Sequence, residues 1–357
     1  MAFSAGELTN ITNAALDYYL NKGSSFAQAL EQKPLVAIMD RKAKTFPGGK
    51  GDISLAVVGN YGAGGSNDGL KGYTHNDQVN FYTPANIKRA VYPWREHHIG
   101  LTLTMTELKI DGLSVADTSA GIDTTGHSGR DQTVLVNLLE NKLADFAERY
   151  AMTLNDLLWG DGSGDAKAMA GIQSIITANP AVGTVGGLNR ATSGNEFWRN
   201  RARTASYGGG AISVSTSDGG ALLTELQKQK RQLMRYGGNP DVFLAGSDFI
   251  AGMELEIRAN GNYSMTGFTG SQDGAMGPMQ FAGTKIIYDP WLDNNSLSKR
   301  AYWFDSRDIF LEKMDGEWKR QHDPARPYDQ FVVYRSVTST GQMVATRCNG
   351  ALVIDIA

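Results

Sequence analysis

Apolar positions along the chain alternate between the two periods that helices and strands impose. From about Asp131 to Leu158, Val134, Leu135, Leu138, Leu139, Leu143, Phe146, Tyr150, Leu154 and Leu157 recur three and four residues apart. Glu140, Lys142, Glu148 and Arg149 fall between them, so one stripe of a helix faces a core. Asp131 near the start and Gly160 past the end are the expected boundary residues. At ~1.5 Å per residue this helix is roughly 40 Å long, a structural spine when set against the ordinary ~11–12-residue helix. Ala221–Tyr236 predicts a second helix, with Leu222, Leu226 and Leu233 opposite a basic face of Lys228, Lys230, Arg231 and Arg235. Ser247–Arg258 predicts a third, capped by Ser247 or Asp248. Residues 4–30 read as helical in pieces, interrupted at Gly23-Ser24-Ser25.

Strand signals surround these helices. Ile53, Leu55 and Val57 alternate with smaller residues, and Leu101, Leu103 and Met105 alternate with threonines. Between them, residues 59–72 have the Gly, Asn and Ser content of a mobile tip. The pattern predicts a long two-stranded arm. Such a hairpin is marginal alone in water, and the neighbouring sequence offers no obvious surface for it. Leu35–Met39, after Pro34, predicts a buried strand. So do Val242–Ala245, Lys285–Tyr288, Ala301–Phe304 and Ile309–Lys313. Two closing strands are predicted: Gln330–Thr338, and Gln342–Ala345 running on to Ala351–Ile356. Residues 171–221 and 261–279 are rich in small polar residues and glycine, irregular stretches longer than a self-contained enzyme domain usually carries.

Composition narrows the function classes. Glycine is 42 of 357 residues, about 12% against a usual ~7%. Thirty-four basic residues face 37 acidic ones, for a net charge of −3, which excludes a general polycationic nucleic-acid binder. A single cysteine, Cys348, excludes an intrachain disulfide framework and a cysteine-cluster metal site, and it reads as a small core residue. No basic, apolar leader opens the chain and no run of ~18 apolar residues occurs, so neither a secretory signal nor a membrane span is expected. One local charge excess stands out. Residues 33–50 carry Lys33, Arg41, Lys42, Lys44 and Lys50 against Asp40 alone. They form either a solvated arm or one laid on an anionic surface such as packaged DNA or a partner's acidic face.

Candidate chemistry is sparse. His97 and His98 are adjacent, and in a strand adjacent side chains point to opposite faces, so they do not share a metal ion. Asp161, Ser163 and Asp165 resemble the opening of a calcium loop, but Ala166 stands where glycine is needed and Ile172 where the bidentate glutamate is needed. No phosphate-binding glycine motif and no nucleophile elbow is complete. No catalytic, cofactor-binding or metal-ligating residue is assigned, no cofactor is expected, and the chain reads as a structural protein and not an enzyme.

The ordered set of elements resembles the major capsid proteins of tailed double-stranded DNA bacteriophages, whose shared fold is the Hong Kong 97 phage type. The resemblance rests on the N-terminal arm, the hairpin with its tip near Gly59–Gly72, and the spine helix ending in Leu157-Leu158-Trp159-Gly160-Asp161-Gly162 with Gly171-Ile172 beyond. It continues through Asp241–Ala245, Phe281–Ile287, Tyr302–Asp305, Ile309–Leu311, Phe331–Val337 and Ala351–Ile356. It implies an α+β capsid fold. Residues 1–50 would be the N-terminal arm and 51–108 the extended loop. Residues 109–172 and 325–357 would form the peripheral domain, with the spine helix at about 131–158, and 173–324 the axial domain.

The implied function is a head protein that assembles with itself, as pentamers and hexamers, into an icosahedral shell around packaged double-stranded DNA. Its implied location is the virion, with the host cytoplasm as the site of assembly. The implied partners are a separate scaffolding protein (the chain starts almost at the arm), a portal, a cementing protein in some relatives, and DNA through non-specific contacts, with no membrane. Either 33–50 or the helix face at 228–235 would supply positive charge to DNA. Some relatives join subunits through a loop lysine and a distant asparagine; Lys71 and Asn349 invite that comparison, and it is disfavoured. Two other readings remain: a tail or baseplate component, and an enzyme with a site in 173–324.

Overall fold

In a computed structural model, the structure describes residues 3–4, 33–48, 51–59, 70, 72–78, 81, 87–104, 115–116, 129–214, 220–235, 237–259, 279–322 and 332–357. The expected helical pieces at 5–30, the glycine tip at 60–69, Met105, Lys50, Lys71 and the loop at 261–278 lie outside these residues. So do the side chains of Val134, Leu135, Leu138, Leu139 and Leu143.

In chain order the strands are β1 (Phe3–Ser4), β2 (Lys44–Phe46), β3 (Asp52–Val58), β4 (Ile87–Pro93), β5 (Arg95–Thr104), β6 (Val115–Ala116), β7 (Thr184–Val185), β8 (Leu188–Asn189) and β9 (Arg201–Arg203). Then follow β10 (Val242–Ala245), β11 (Gln280–Phe281), β12 (Thr284–Tyr288), β13 (Arg300–Phe304), β14 (Ile309–Met314), β15 (Arg320–Gln321), β16 (Val332–Ala345) and β17 (Leu352–Asp355). The α-helices are α1 (Pro34–Lys42), α2 (Gly129–Trp159), α3 (Ile172–Ile175), α4 (Ala221–Met234), α5 (Ser247–Ala259) and α6 (Pro290–Asn294).

Two sheets organise the described chain. The larger has six strands in the order β11-β12-β10-β13-β17-β9. Its central strands are buried on both faces, which is why Val242–Ala245, Ala301–Phe304 and Leu352–Ile354 are continuous apolar runs instead of alternating ones. One face meets α4 and α5 through Leu222, Leu226, Leu233, Phe249 and Met253. The opposite face, with Leu244, Tyr302, Phe304 and Val353, joins the core that holds α1 and the end of α2. The second sheet runs β15-β16-β14-β2, and β5 pairs antiparallel with β16 from Val332↔Thr104 to Gly341↔Arg95.

Three sequence expectations are corrected here. Leu35–Met39 lies in helix α1, not a strand. Pro34 at its first position suits a helix start, and Leu35, Val36 and Met39, one helical turn, are the buried residues. The two closing strands are divided differently. Gln342–Ala345 belongs to the 14-residue β16 that begins at Val332, and β17 is a separate strand in the other sheet. Gly341 lies inside β16 as a slot: a Cβ there would lie 2.8 Å from the Trp318 ring and 3.0 Å from the Glu312 carbonyl oxygen. For α5, the first amides are satisfied from elsewhere. Ser247 N–H donates to Asp293 Oδ1 at 2.9 Å and Phe249 N–H to the Ser298 carbonyl at 3.1 Å.

The spine helix α2 is anchored at its C-terminal end. Phe146, Tyr150, Leu154 and Leu158 are buried four residues apart; the first three belong to the predicted stripe, and at its end Leu158 takes the core position while the expected Leu157 is only half-buried. Trp159 is fully buried, stacks on Trp291 at 5.2 Å and donates its indole N–H to Asp289 Oδ2 at 3.1 Å. Asp289 also caps α6 through Trp291 N–H, and burial raises its carboxyl pKa. The chain then doubles back against the helix end. Gly171 N–H donates to the Gly160 carbonyl at 2.9 Å. A Cβ at Gly171 would come within 2.3 Å of the Leu158 carbonyl oxygen, so only glycine fits this return.

Candidate assembly surface

Strands β3 and β4 form the two-stranded arm, antiparallel from Asp52↔Pro93 to Val58↔Ile87. Directly opposed residues share a face. Ile53 with Tyr92, Leu55 with Ala90 and Val57 with Lys88 face inward, and of these Ile53, Val57, Ala90 and Tyr92 are buried in the main core. Ser54 with Val91, Ala56 with Arg89 and Val58 with Ile87 face outward. The outward face is apolar where it should be polar: Ile87 is 69% exposed, and Val58 and Val91 are exposed too. Beyond the strands Leu70, Tyr73 and Phe81 are also exposed. Scattered surface apolar residues are ordinary, but Val58, Ile87 and Val91 on one face of a single hairpin form a candidate interaction surface.

At the arm's root the expectation of no supporting surface is overturned. The segment 171–200, read as irregular from its composition, builds a ledge. Val91 N–H donates to the Gly186 carbonyl at 2.9 Å. The Tyr92 hydroxyl donates to the Ala345 carbonyl at 3.1 Å, and burial raises its pKa. Lys88 Nζ donates to the Gly194 carbonyl at 3.1 Å and also to Asn195 Oδ1. Gly186 has φ +56°, and a Cβ there would meet the Tyr92 ring at 2.8 Å.

The ledge is held by a residue that the sequence reading missed. Arg190 is completely buried. Its guanidinium donates to the carbonyls of Trp198 at 3.0 Å and Ile175 at 2.6 Å, and to Asn200 Oδ1 and Thr177 Oγ1, both at 3.1 Å. Its partners lie up to 15 residues away and two are backbone carbonyls, so no spacing in the sequence signals them.

The basic segment 33–48 is partly consumed by its own fold. Lys33 pairs with Glu148 of the spine helix at 2.6 Å. Asp40, its single acid, pairs with Lys313 and Lys319 of the body. Lys44 Nζ lies 3.6 Å from the Phe310 ring centroid, a cation–π contact. Arg41 and Lys42 remain exposed. On α4, Lys228 is exposed and pairs with Glu225, and Lys230 donates to the Ala282 carbonyl.

His97 and His98 point to opposite faces. His98 is exposed, whereas His97 is half-buried and its Nε2 accepts from Met169 N–H at 3.1 Å. Burial is the main cause holding the His97 pKa below its ordinary value. Between this strand and the spine helix lies a cavity of about 220 Å³ bordered by Leu154, Leu157, Met169 and Trp318. Tyr150 and Ser339 share a hydrogen bond at 2.9 Å across the same seam, where burial pushes the Tyr150 pKa up to about 12. Asp161 accepts from Ser163 N–H and Oγ, and Asp165 from Lys167 N–H, so this segment is a hydrogen-bonded turn. Among the described residues no group of three His, Cys, Asp or Glu side chains could hold a metal, and no helix is long and apolar enough to cross a membrane. Cys348 is fully buried. Asn349 lines a groove beside α4.

No protein-family model matches the sequence, and no curated protein does. Solved structures do. A chain of the Cyanophage A-1(L) capsid asymmetric unit matches with a TM-score of 0.59 at 12% identity, covering 91% of this chain and 93% of that one. A chain from Mycobacterium phage Bobi matches with a TM-score of 0.51 at 10% identity, covering 90% of each. The capsid of Myoviridae Phage XM1 matches with a TM-score of 0.50 at 9% identity, covering 88% and 90%. The chain has the α+β fold of phage capsid subunits, the Hong Kong 97 type, over nearly its whole length.

Proposed function

We propose that this chain is the major capsid protein of a tailed double-stranded DNA phage, forming an icosahedral head by self-assembly. The capsid fold supports the reading, and the outward apolar face of the arm carries it: Val58, Ile87 and Val91 sit on a hairpin whose other face is already packed. A second copy is the natural cover for a surface that every copy repeats. In this reading residues 1–50 are the N-terminal arm and 51–108 the extended loop. Residues 109–172 with 325–357 are the peripheral domain, and 173–324 the axial domain around five- and six-fold centres. The work is mechanical, without a catalytic step: many modest interfaces add through multivalency into a closed shell. Scaffold, portal and cementing proteins are the external partners, packaged DNA is touched non-specifically, and assembly takes place in the host cytoplasm before the protein resides in the virion.

Size-exclusion chromatography and electron microscopy test this on the chain expressed alone and with candidate scaffolds. Megadalton particles or capsomer rings are expected. A monomer or small oligomer under every condition would remove the reading.

A further inference from the structure

A groove of about 460 Å³ lies beside the edge strand β9, between that strand, the segment 196–200 and helix α4. Arg199, Arg201, Arg203 and Lys228 line it, against Glu196 and Glu225. Both acids are engaged. Glu225 accepts from Lys228 at 3.4 Å and Gln229 at 2.7 Å, and Glu196 accepts from Gly194 N–H at 2.8 Å. The basic side is not equally satisfied. Arg203 donates to the Gly208 carbonyl at 2.9 Å, yet its Nε is buried with no acceptor. The Arg201 guanidinium has no hydrogen bond or ion pair among the described residues. Arg201 and Arg203 are two apart in one strand, so they share a face.

Two guanidinium forks with spare N–H groups, set in a recess, match a planar oxyanion that takes two parallel hydrogen bonds. We propose that this groove binds a side-chain carboxylate of a second copy of the chain, as a polar contact between neighbouring subunits. Duplex DNA presents a rod with a phosphate charge every ~1.7 Å, whereas this groove offers two forks side by side in one recess. A single projecting side chain fits it. The chain itself offers suitable donors of charge. Asp52, Glu96, Asp145 and Asp165 are exposed and carry no ion pair among the described residues. None of these acids lines the groove, so a contact between the groove of one copy and such a carboxylate of another is head-to-tail, the kind that closes a ring.

This inference rests on the shell reading, and the experiment separates the two. Particles or capsomer rings of the parent, Arg201→Gln, Arg201→Lys and Lys228→Gln are titrated with salt, with circular dichroism confirming each fold. Arg201→Gln and Lys228→Gln assemblies are expected to dissociate at severalfold lower salt than the parent, with Arg201→Lys between. Lys228 lies on an exposed helix face, so its variant serves if Arg201→Gln does not fold. Parental salt tolerance in a folded variant overturns the groove contact and leaves the shell intact. No assembly of the parent overturns both. Millimolar inorganic phosphate, or a DNA duplex, that binds parent subunits through Arg201 while assembly is indifferent to the variants marks a different ligand and overturns the second-copy assignment.

Discussion

Arg190 shows how one buried charge shapes the arm's support. Its guanidinium donates to two carbonyls and two side-chain oxygens at once, and among the described residues no carboxylate pairs with it. Replacing it by methionine removes the guanidinium donor from the Trp198 and Ile175 carbonyls, while Asn200 Oδ1 keeps Thr177 N–H as a donor, at a cost of about 3 kcal/mol. Lysine cannot restore the fork geometry. Urea denaturation of dissociated subunits is expected to show this loss for both Arg190→Met and Arg190→Lys. His97 sets a pH dependence. Burial and nearby Arg95 oppose its charge, the Ser339 carbonyl and Asp165 favour it, and burial dominates. The folded chain therefore binds this proton less readily than the unfolded chain, whose imidazole titrates near ~6.5. The stabilisation is fully present above that value and is lost as pH falls through the depressed folded pKa. Melting of subunits at pH 7.5 and 5.5 should show a smaller acid drop for His97→Gln, which keeps an acceptor for Met169 N–H; an equal drop would contradict the assignment. Neither role is legible in sequence: the adjacent histidines predict opposite faces correctly, but the partners Met169 and Ser339 are 72 and 242 residues away in numbering.

Elements with a strong period were readable, and those defined by their partners were not. The spine helix and the doubly buried strands β10, β13 and β17 announce themselves because burial dictates their spacing. Helix α1 did not: five apolar residues in a row fit a buried strand equally, and only Pro34 at its start argues otherwise. Strand β16 reads as two because polar Ser339 and Thr340 interrupt its apolar pattern, yet both are buried, and Gly341 beside them makes room for Trp318. The ledge under the arm is built from backbone carbonyls, which composition cannot reveal. Of the arm, only β3 was legible as alternation: the alternating Leu101 and Leu103 lie in β5 and pair with β16 in the other sheet, and β4 takes their expected place beside β3. The register of β3 with β4 shows which side is left over. Ile87→Lys and Val91→Lys are expected to change subunit stability by no more than ~0.5 kcal/mol, because both residues are exposed. The same variants should cut particle yield at least about tenfold, since each 1.4 kcal/mol lost per contact is a factor of ten and the loss recurs at every arm. Unchanged yield by sedimentation would remove the arm from the interface.

At the scale of the whole molecule, a near-neutral charge of −3 lets many copies sit side by side. The described body is self-sufficient: it has two core clusters, a buried spine end and an arm root clamped on its own ledge. Among the described residues, the outward apolar face of the arm and the basic groove beside β9 are the two surfaces that the proposed shell would cover. Hydrogen exchange over residues 51–93, compared between assembled particles and dissociated subunits, reads the first of these directly. The account predicts exchange at least severalfold slower in the particle at the outer positions Val58 and Ile87, with little change at Ile53, Tyr92 and Val91, whose amide is already held by the Gly186 carbonyl. Equal exchange in both states would show that no neighbour covers the arm.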